Sequence, residues 1–459
     1  MEGRERTNAP TLSRGHNNRG ESVGYHRVLK LIAVTVMAIA LVACMAGLLA
    51  ACGEDTTDTT AGGTDTTAGG TDTTSTPATS APAEGAKTIK VGLVTDFSLP
   101  LTMDFKKFVE AAVPAINAEG GLTCAGEKYQ VELVVYDGKS EADASRSAVQ
   151  RLLTEDKAQF ILSDSSVDYW QALTEEAGVI SIVGAPSQTM FDPKYKYSFQ
   201  TAEFSSTRPA TWLWAAQKFP EAKKVCAAFP DSLPGHIDSG ELEAMCKYTG
   251  QEIVKNMFYP DGTTDFSAIA TALVDTNADW FTTAGGGPVQ DPLLQKAVKQ
   301  AGFQGQNVML TNICLPGELK VVAPEDLEGT LAGIQATDLP DNPPAAAIEA
   351  MEIWADAYGE WDNPTIGWWS TWYLLKAALE KSPSLSADDI AATINAGLKF
   401  ECPGGMVQMV SRPDLGNDKA VDATYDRSIG YVRAGGTWEV VEYLTTDQCH
   451  ELIKAYYNW

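Results

Sequence analysis

FILSDSSVDYWQALTEEAGVISIVGAPS, residues Phe160–Ser187, reads as strand, turn, helix, strand, turn. Phe160-Ile161-Leu162 is a short apolar run that stops at Ser163-Asp164-Ser165-Ser166, and such a run bounded by polar turn residues is the pattern of a buried parallel strand. A helix follows, with Ser165 or Ser166 as N-cap, Trp170, Leu173 and Ala177 at three- and four-residue spacing, and Gly178 as the stop. Val179–Val183 is a second buried strand, and Gly184-Ala185-Pro186-Ser187 a second turn of small residues. Two strand ends therefore lie side by side. In an open α/β sheet ligands sit beyond the carboxyl ends of neighbouring strands, where the free N–H groups of a helix start favour an anionic group. The spacing is, on its own, that of two ordinary strand-to-helix turns, and the rest of the chain carries the decision.

Working outward, the same alternation starts at Thr88. Ile89–Val94 is a strand, and Phe105, Phe108, Val109, Ala112, Val113 and Ile116 form one helical face that ends at Gly120-Gly121, with a kink expected at Pro114. Val131–Tyr136 is the next strand, followed by a helix carrying Ala148, Val149, Leu152 and Leu153. The order βαβαβαβ implies a parallel sheet with right-handed crossovers. A second run of the same kind follows Phe199–Ala202. Its strands are read at Val225–Phe229, Ile253–Phe258, Trp280–Thr283 and Val308–Leu310, and its helices at about His236–Thr249, Phe266–Asp275 and Leu293–Ala301. The chain then reads helical over Ala345–Tyr358, Trp368–Leu379 and Ala387–Ala396, and closes with short strands at Ile429–Val432 and Trp438–Glu442. Two similar sheets imply an α/β fold with two lobes.

A chain of 459 residues is long enough for two or three units, each with its own core. The formal charge of −26 argues against a nucleic-acid partner, which needs clustered Lys and Arg. With no CxxC and no Cys/His cluster, no metal is expected, and with only His236 and His450 beyond the N-terminal segment there is little material for imidazole chemistry. Residues 1–30 are polar with scattered Arg, and Leu31–Ala51 is almost wholly apolar, as in an export segment. Leu49-Ala50-Ala51-Cys52 resembles a lipobox, so residues 1–52 read as a lipoprotein signal peptide with lipidation at Cys52; Cys44 ends a similar string, and an uncleaved anchor is the alternative. Residues 53–87 are a Thr/Asp/Gly-rich tether in which the unit at 57–63 repeats at 64–70, a composition that does not bury apolar area.

Further strings place the body. Val91-Gly92-Leu93-Val94, Ala115-Ile116-Asn117-Ala118-Glu119-Gly120-Gly121, Val134-Val135-Tyr136-Asp137, Glu176-Ala177-Gly178-Val179-Ile180-Ser181, Thr264-Asp265-Phe266-Ser267 and Ala278-Asp279-Trp280-Phe281 run in one order along the chain. In these strings the chain resembles the type 1 periplasmic binding proteins, in the branched-chain amino acid (Leu/Ile/Val) branch of ABC-importer solute receptors. The resemblance implies two Rossmann-like lobes joined by a three-crossing hinge, about 88–204 plus 337–427 and 205–336 plus 428–459, with a ligand cleft between them. It carries ligand contacts to Ser163, Asp164, Ser165 and Ser166, to Ala185, Pro186 and Ser187, to Ser98 in the first-strand loop, and in the second lobe to His236, Gly285, Gly286 and Asn312.

This chain departs from that pattern. Amino-acid-binding members carry an acid near Asn312 and an aromatic near Gly286, and Asp164 stands where a small neutral residue is common; the acid can take over contact with a ligand's ammonium. Amino acids, amides, carboxylates and aromatic acids are all open as ligands. The resemblance also implies an ABC permease as partner, a monomer, no cofactor and no enzyme activity. A sensor of the same fold and an extracellular enzyme are the alternatives. In an exported chain the six body cysteines suggest disulfides, and the lobes allow Cys124–Cys402, Cys226–Cys246 and Cys314–Cys449. Gly285-Gly286-Gly287-Pro288 lacks the Gly-Lys-Ser/Thr of a phosphate loop, and Ser187 lacks a GxSxG setting. Trp368, Trp369, Trp372 and Tyr373 read as packing residues, while Tyr169 or Trp170 is a candidate pocket wall.

Overall fold

The computed structural model describes residues 85–457 apart from 99, 165–166, 186, 188, 203–207, 340 and 342. Cys44, Cys52, the apolar leader and the tether lie outside the described residues. β1 (Thr88–Thr95) is a central strand whose Ile89, Val91, Leu93 and Val94 are fully buried, as expected of a parallel strand covered on both faces. β2 (Leu122–Cys124) and β3 (Glu127–Asp137) form a hairpin through Ala125 and Gly126, whose φ values of 51° and 79° suit a tight two-residue turn. With β4 (Phe160–Ser163), β5 (Ile180–Val183) and β6 (Ser198–Gln200) they make a six-stranded sheet of order β2-β3-β1-β4-β5-β6, parallel except at β2.

The helix Pro100–Ala118 runs through Pro114 without interruption and buries Phe105, Phe108 and Val109. Trp369 stacks on Phe108 at 4.0 Å between ring centroids and lies 5.5 Å from Trp354, so the helices Ala345–Tyr358 and Ser370–Lys381 join the core of the first sheet. After β4 a 3₁₀ turn, Val167–Tyr169, precedes the helix Gln171–Ala177. That helix starts later than the serine caps suggest because Trp170 has a non-helical φ of −140°, which carries its indole into the core at 1 % exposure. Gly178 ends it with φ 64°.

The second sheet contains β7 (Lys224–Pro230), β8 (Glu252–Tyr259), β9 (Trp280–Thr282), β10 (Gln306–Ile313) and β11 (Leu331–Ile334), all parallel. A separate antiparallel meander, β12 (Lys399–Cys402), β13 (Gly405–Arg412) and β14 (Asn417–Tyr425), packs into the first core through Phe400, Val407 and Val421. β15 (Arg427–Arg433) and β16 (Thr437–Leu444) then return antiparallel to the second sheet, giving β16-β15-β11-β10-β9-β7-β8. The chain passes between the two layers three times: after β6, after β11 and between β14 and β15.

Alternation along β7 also decides the cysteines. None of the six body cysteines forms a disulfide. Val225, Ala227 and Phe229 point into the core shared with Trp212 and Cys246, whereas Cys226 and Ala228 point into the opposite core with Leu273 and Phe281. The sheet itself therefore separates Cys226 from Cys246, contrary to the pairing expected from lobe membership. Cys449 belongs to the same core as Cys246, while Cys314 stands beyond β10 near Gly317, and the two are not joined. Cys124 and Cys402 share the first core without a bond between them, and the Cys124 thiol donates to the Ser382 carbonyl at 3.9 Å.

Candidate ligand-binding site

β1 and β4 are neighbours in register, Val94 beside Ser163, so their carboxyl ends bring Thr95 and Asp96 next to Asp164. Ser163 is fully buried and its hydroxyl donates to the Val94 carbonyl at 2.8 Å, inside the sheet. Asp164 is 5 % exposed and accepts a hydrogen bond from the Thr95 hydroxyl. Burial pushes its carboxyl up to about 7, against the pull of the Thr95 hydroxyl and backbone N–H groups, and the neighbouring Asp96 adds to the rise. Burial acts on Asp96 too, but hydrogen bonds from Ser140 and Ser98 outweigh it and hold that carboxyl below its ordinary value. Ser98 itself is exposed and folds back on Asp96 Oδ1, at 2.7 Å from its N–H and 2.6 Å from its hydroxyl.

At the end of β5, Gly184 lies under Trp368: a Cβ there would stand 2.3 Å from the indole Cδ1, so only glycine admits the ring. Ala185 is half-buried, and Ser187, 6 % exposed, donates its N–H to Gln200 Oε1 at 3.1 Å and its hydroxyl to Asp168. Thr189 donates to the same Asp168 and to Gln171 Oε1. Gln200 in turn donates to Asp422 at 3.0 Å, and Asp422 accepts from Arg412, whose guanidinium also grips Asp414 and lies 4.3 Å from the Tyr457 ring centroid. This network anchors the floor of the site to the three-stranded meander. Ser165, Ser166 and Pro186 lie outside the described residues.

At the second sheet, Gly286 sits where a Cβ would meet Asp291 Oδ1 and the Tyr259 hydroxyl, each at 2.7 Å, so an aromatic side chain has no room at this position. Gly285, at φ 82°, is crowded by Asp238. His236 is exposed; its Nε2 meets Asp231 Oδ1 at 2.8 Å and its ring packs on Phe258 at 4.2 Å. Asn312 accepts from the buried Arg427 guanidinium, which passes over Gly333. Three acids absent from the sequence-based set follow successive strands: Asp291 after β9, Glu318 after β10 and Asp338 after β11. Burial pushes Asp338 up to about 7, and burial with the charges of Asp291 and Asp338 pushes Glu318 well up. Their sequence signal is an acid four to nine residues past a buried strand's end.

Tyr169 is exposed and Trp170 is core. Among the described residues no group of three or more His, Cys, Asp and Glu side chains is arranged to hold a metal ion, and no helix is long and apolar enough to cross a membrane.

Two doubly covered α/β layers, crossed three times by the chain and bringing polar groups to their strand ends, define a two-lobed ligand-binding fold. The sequence profile described as Periplasmic binding protein matches residues 88–422, and the chain belongs to that family. The Leu/Ile/Val-binding protein homolog 6 of Brucella abortus is 25 % identical over 246 residues, which is 52 % of this chain and 61 % of that protein. The branched-chain amino acid transporter substrate binding protein LivJ from Streptococcus pneumoniae, in complex with isoleucine, superposes with TM-score 0.58 at 18 % identity over 78 % of this chain and 99 % of its own. An ABC-transporter solute binding protein from Rhodopseudomonas palustris, in complex with 3,4-dihydroxy benzoic acid, gives TM-score 0.58 at 19 % identity over 78 % of this chain and 98 % of its own. These structures share the fold.

Proposed function

We propose that the protein is an extracytoplasmic solute receptor that captures a small polar organic ligand between its lobes and delivers it to an ABC importer. The lobes are 88–204 with 337–427 and 205–336 with 428–459. Cys52 carries the lipid, and residues 53–87 tether the body to the membrane. A ligand that touches both lobes stabilises the closed form by its differential affinity, and a permease reads that form.

The observation that carries this reading is the buried polar floor at the ends of β1, β4 and β5: Asp164 under Thr95, with Ser187 held by Gln200. It lies where an open α/β sheet binds ligands. The relatives named for small ligands support it, and so does the setting of Ser187, whose hydroxyl faces a carboxylate instead of an imidazole.

Thermal unfolding of the full chain against amino acids, short amides, carboxylates, aromatic acids and amines tests it, with Asp164→Ala as the control. A ligand at a hundred times its dissociation constant adds about 2.7 kcal/mol. A compound that stabilises the wild type and not the variant is the expected outcome; silence across every class would overturn the receptor reading.

A further inference from the structure

The turns at the ends of β4 and β5 engage their polar side chains inside the protein. Ser163 gives its hydroxyl to the Val94 carbonyl, Ser187 gives its hydroxyl to Asp168 and its N–H to Gln200, and the Asp164 carboxyl takes the Thr95 hydroxyl. The described hydroxyls of both turns thus point inward, and selectivity on this side falls to another surface. Trp368 supplies it. Its indole lies against Gly184, where a Cβ would stand 2.3 Å from Cδ1 and 2.6 Å from Cγ, and the Gly184 N–H bonds the Ser163 carbonyl at 2.8 Å. The ring is therefore set beside both turns at once.

The surrounding chain holds it there. Trp369, the next residue, is fully buried and stacks on Phe108 at 4.0 Å, whereas Trp368 stays partly exposed. The Thr371 hydroxyl donates to the Trp368 carbonyl at 2.9 Å, and the Ser370 hydroxyl meets that of Thr201 at 3.0 Å, just beyond β6. The helix start that carries Trp368 is thus bound to the strand ends of the first sheet. The segment leading to it also meets the other half of the molecule: Lys320, which follows β10 of the second sheet, donates its ammonium to the Asp362 carbonyl at 3.1 Å. A partly exposed ring between these contacts stands where a closing receptor holds its ligand.

An indole face selects by shape and by its π electrons. A flat aromatic ring stacks on it over its whole area, whereas a branched or saturated group meets it with fewer atoms, and aromatic pairs are worth more than their buried area alone. This contact needs no charge, so it holds whatever head group the ligand carries. We infer that Trp368 determines the specificity of the first-sheet site, and that the ligand carries a planar aromatic ring stacked on its indole. The inference rests on the receptor function proposed above and narrows its ligand.

Calorimetry of the full chain with matched pairs tests it: benzoate with cyclohexanecarboxylate, benzamide with cyclohexanecarboxamide, and phenylalanine with leucine, on wild type, Trp368→Leu and Gly184→Ala. In at least one pair the aromatic member binds the wild type roughly three- to tenfold more tightly than its partner, and Trp368→Leu removes that ratio. Gly184→Ala, whose added methyl displaces the indole, lowers it too and decides alone should Trp368→Leu not fold. Binding of the saturated or branched members as tightly as the aromatic ones overturns the inference and leaves the receptor reading standing. An aromatic preference that both variants keep overturns the assignment to Trp368. If no member of the panel binds, the inference falls, and the wider screen judges the receptor reading separately.

Discussion

Asp164 combines one hydroxyl donor, an ionised neighbour and almost no contact with water, and its proton affinity follows from that balance. Its folded value of about 7 lies above the ordinary value near 3.9, so between the two the folded chain holds a proton that the unfolded chain has lost. Stability therefore falls as pH rises through that window, by about 4 kcal/mol, and is level above it. Asp164→Asn removes the slope. Urea denaturation of both proteins across the window should show the variant's relative stability growing with pH; parallel curves would mean that the carboxyl is better solvated than its 5 % exposure implies. The strand-end position of this acid was legible from Phe160–Leu162 and the polar residues after it. Its partners Thr95 and Asp96 were not, because only strand pairing brings residues from so far along the chain into contact.

Helix starts and strand faces carry the argument at the scale of the element. Gly286 opens the helix Gly287–Gln300 at φ −84°, which any residue adopts, so its requirement is purely one of space. Gly286→Ala should cost roughly 1–3 kcal/mol by pressing on Asp291 and Tyr259. Gly240, exposed within the helix Leu233–Thr249 and with nothing near its missing Cβ, gives the opposite sign: Gly240→Ala should stabilise by about 0.5–1 kcal/mol. Chemical denaturation separates the pair, and equal effects would show that the crowding at Gly286 relaxes freely.

Most of the parallel strands were legible as apolar runs, with ends displaced by one to a few residues. The antiparallel β14 was not, since it buries Asp422 and Thr424 towards its end. Arg412 and Gln200 make that burial tolerable, and no hydrophobic pattern announces it. The three-residue strands β2 and β6 are too short for any period to show.

At the scale of the whole molecule, two layers joined by three crossings make a body whose proposed work is closure. Small-angle scattering should record a smaller radius of gyration once a cleft ligand is bound, and an unchanged radius with saturated ligand would exclude closure as the mechanism. The net charge of −26 repels anions around such a body and favours its solubility.

Sequence by itself determined the α/β class, the repetition of the βα unit in two layers, the turns at Ser163–Asp164 and Gly184–Ser187, and the acidic character of the chain. These follow from local patterning: apolar runs, helical spacing and glycine stops act over a few residues. Tertiary structure alone decided that a sheet stands between Cys226 and Cys246, that Gly286 excludes an aromatic, and that Asp291, Glu318 and Asp338 gather at one end of the second sheet. Each of these depends on which face of a strand a residue takes and which strands lie side by side, and those are properties of packing between distant segments.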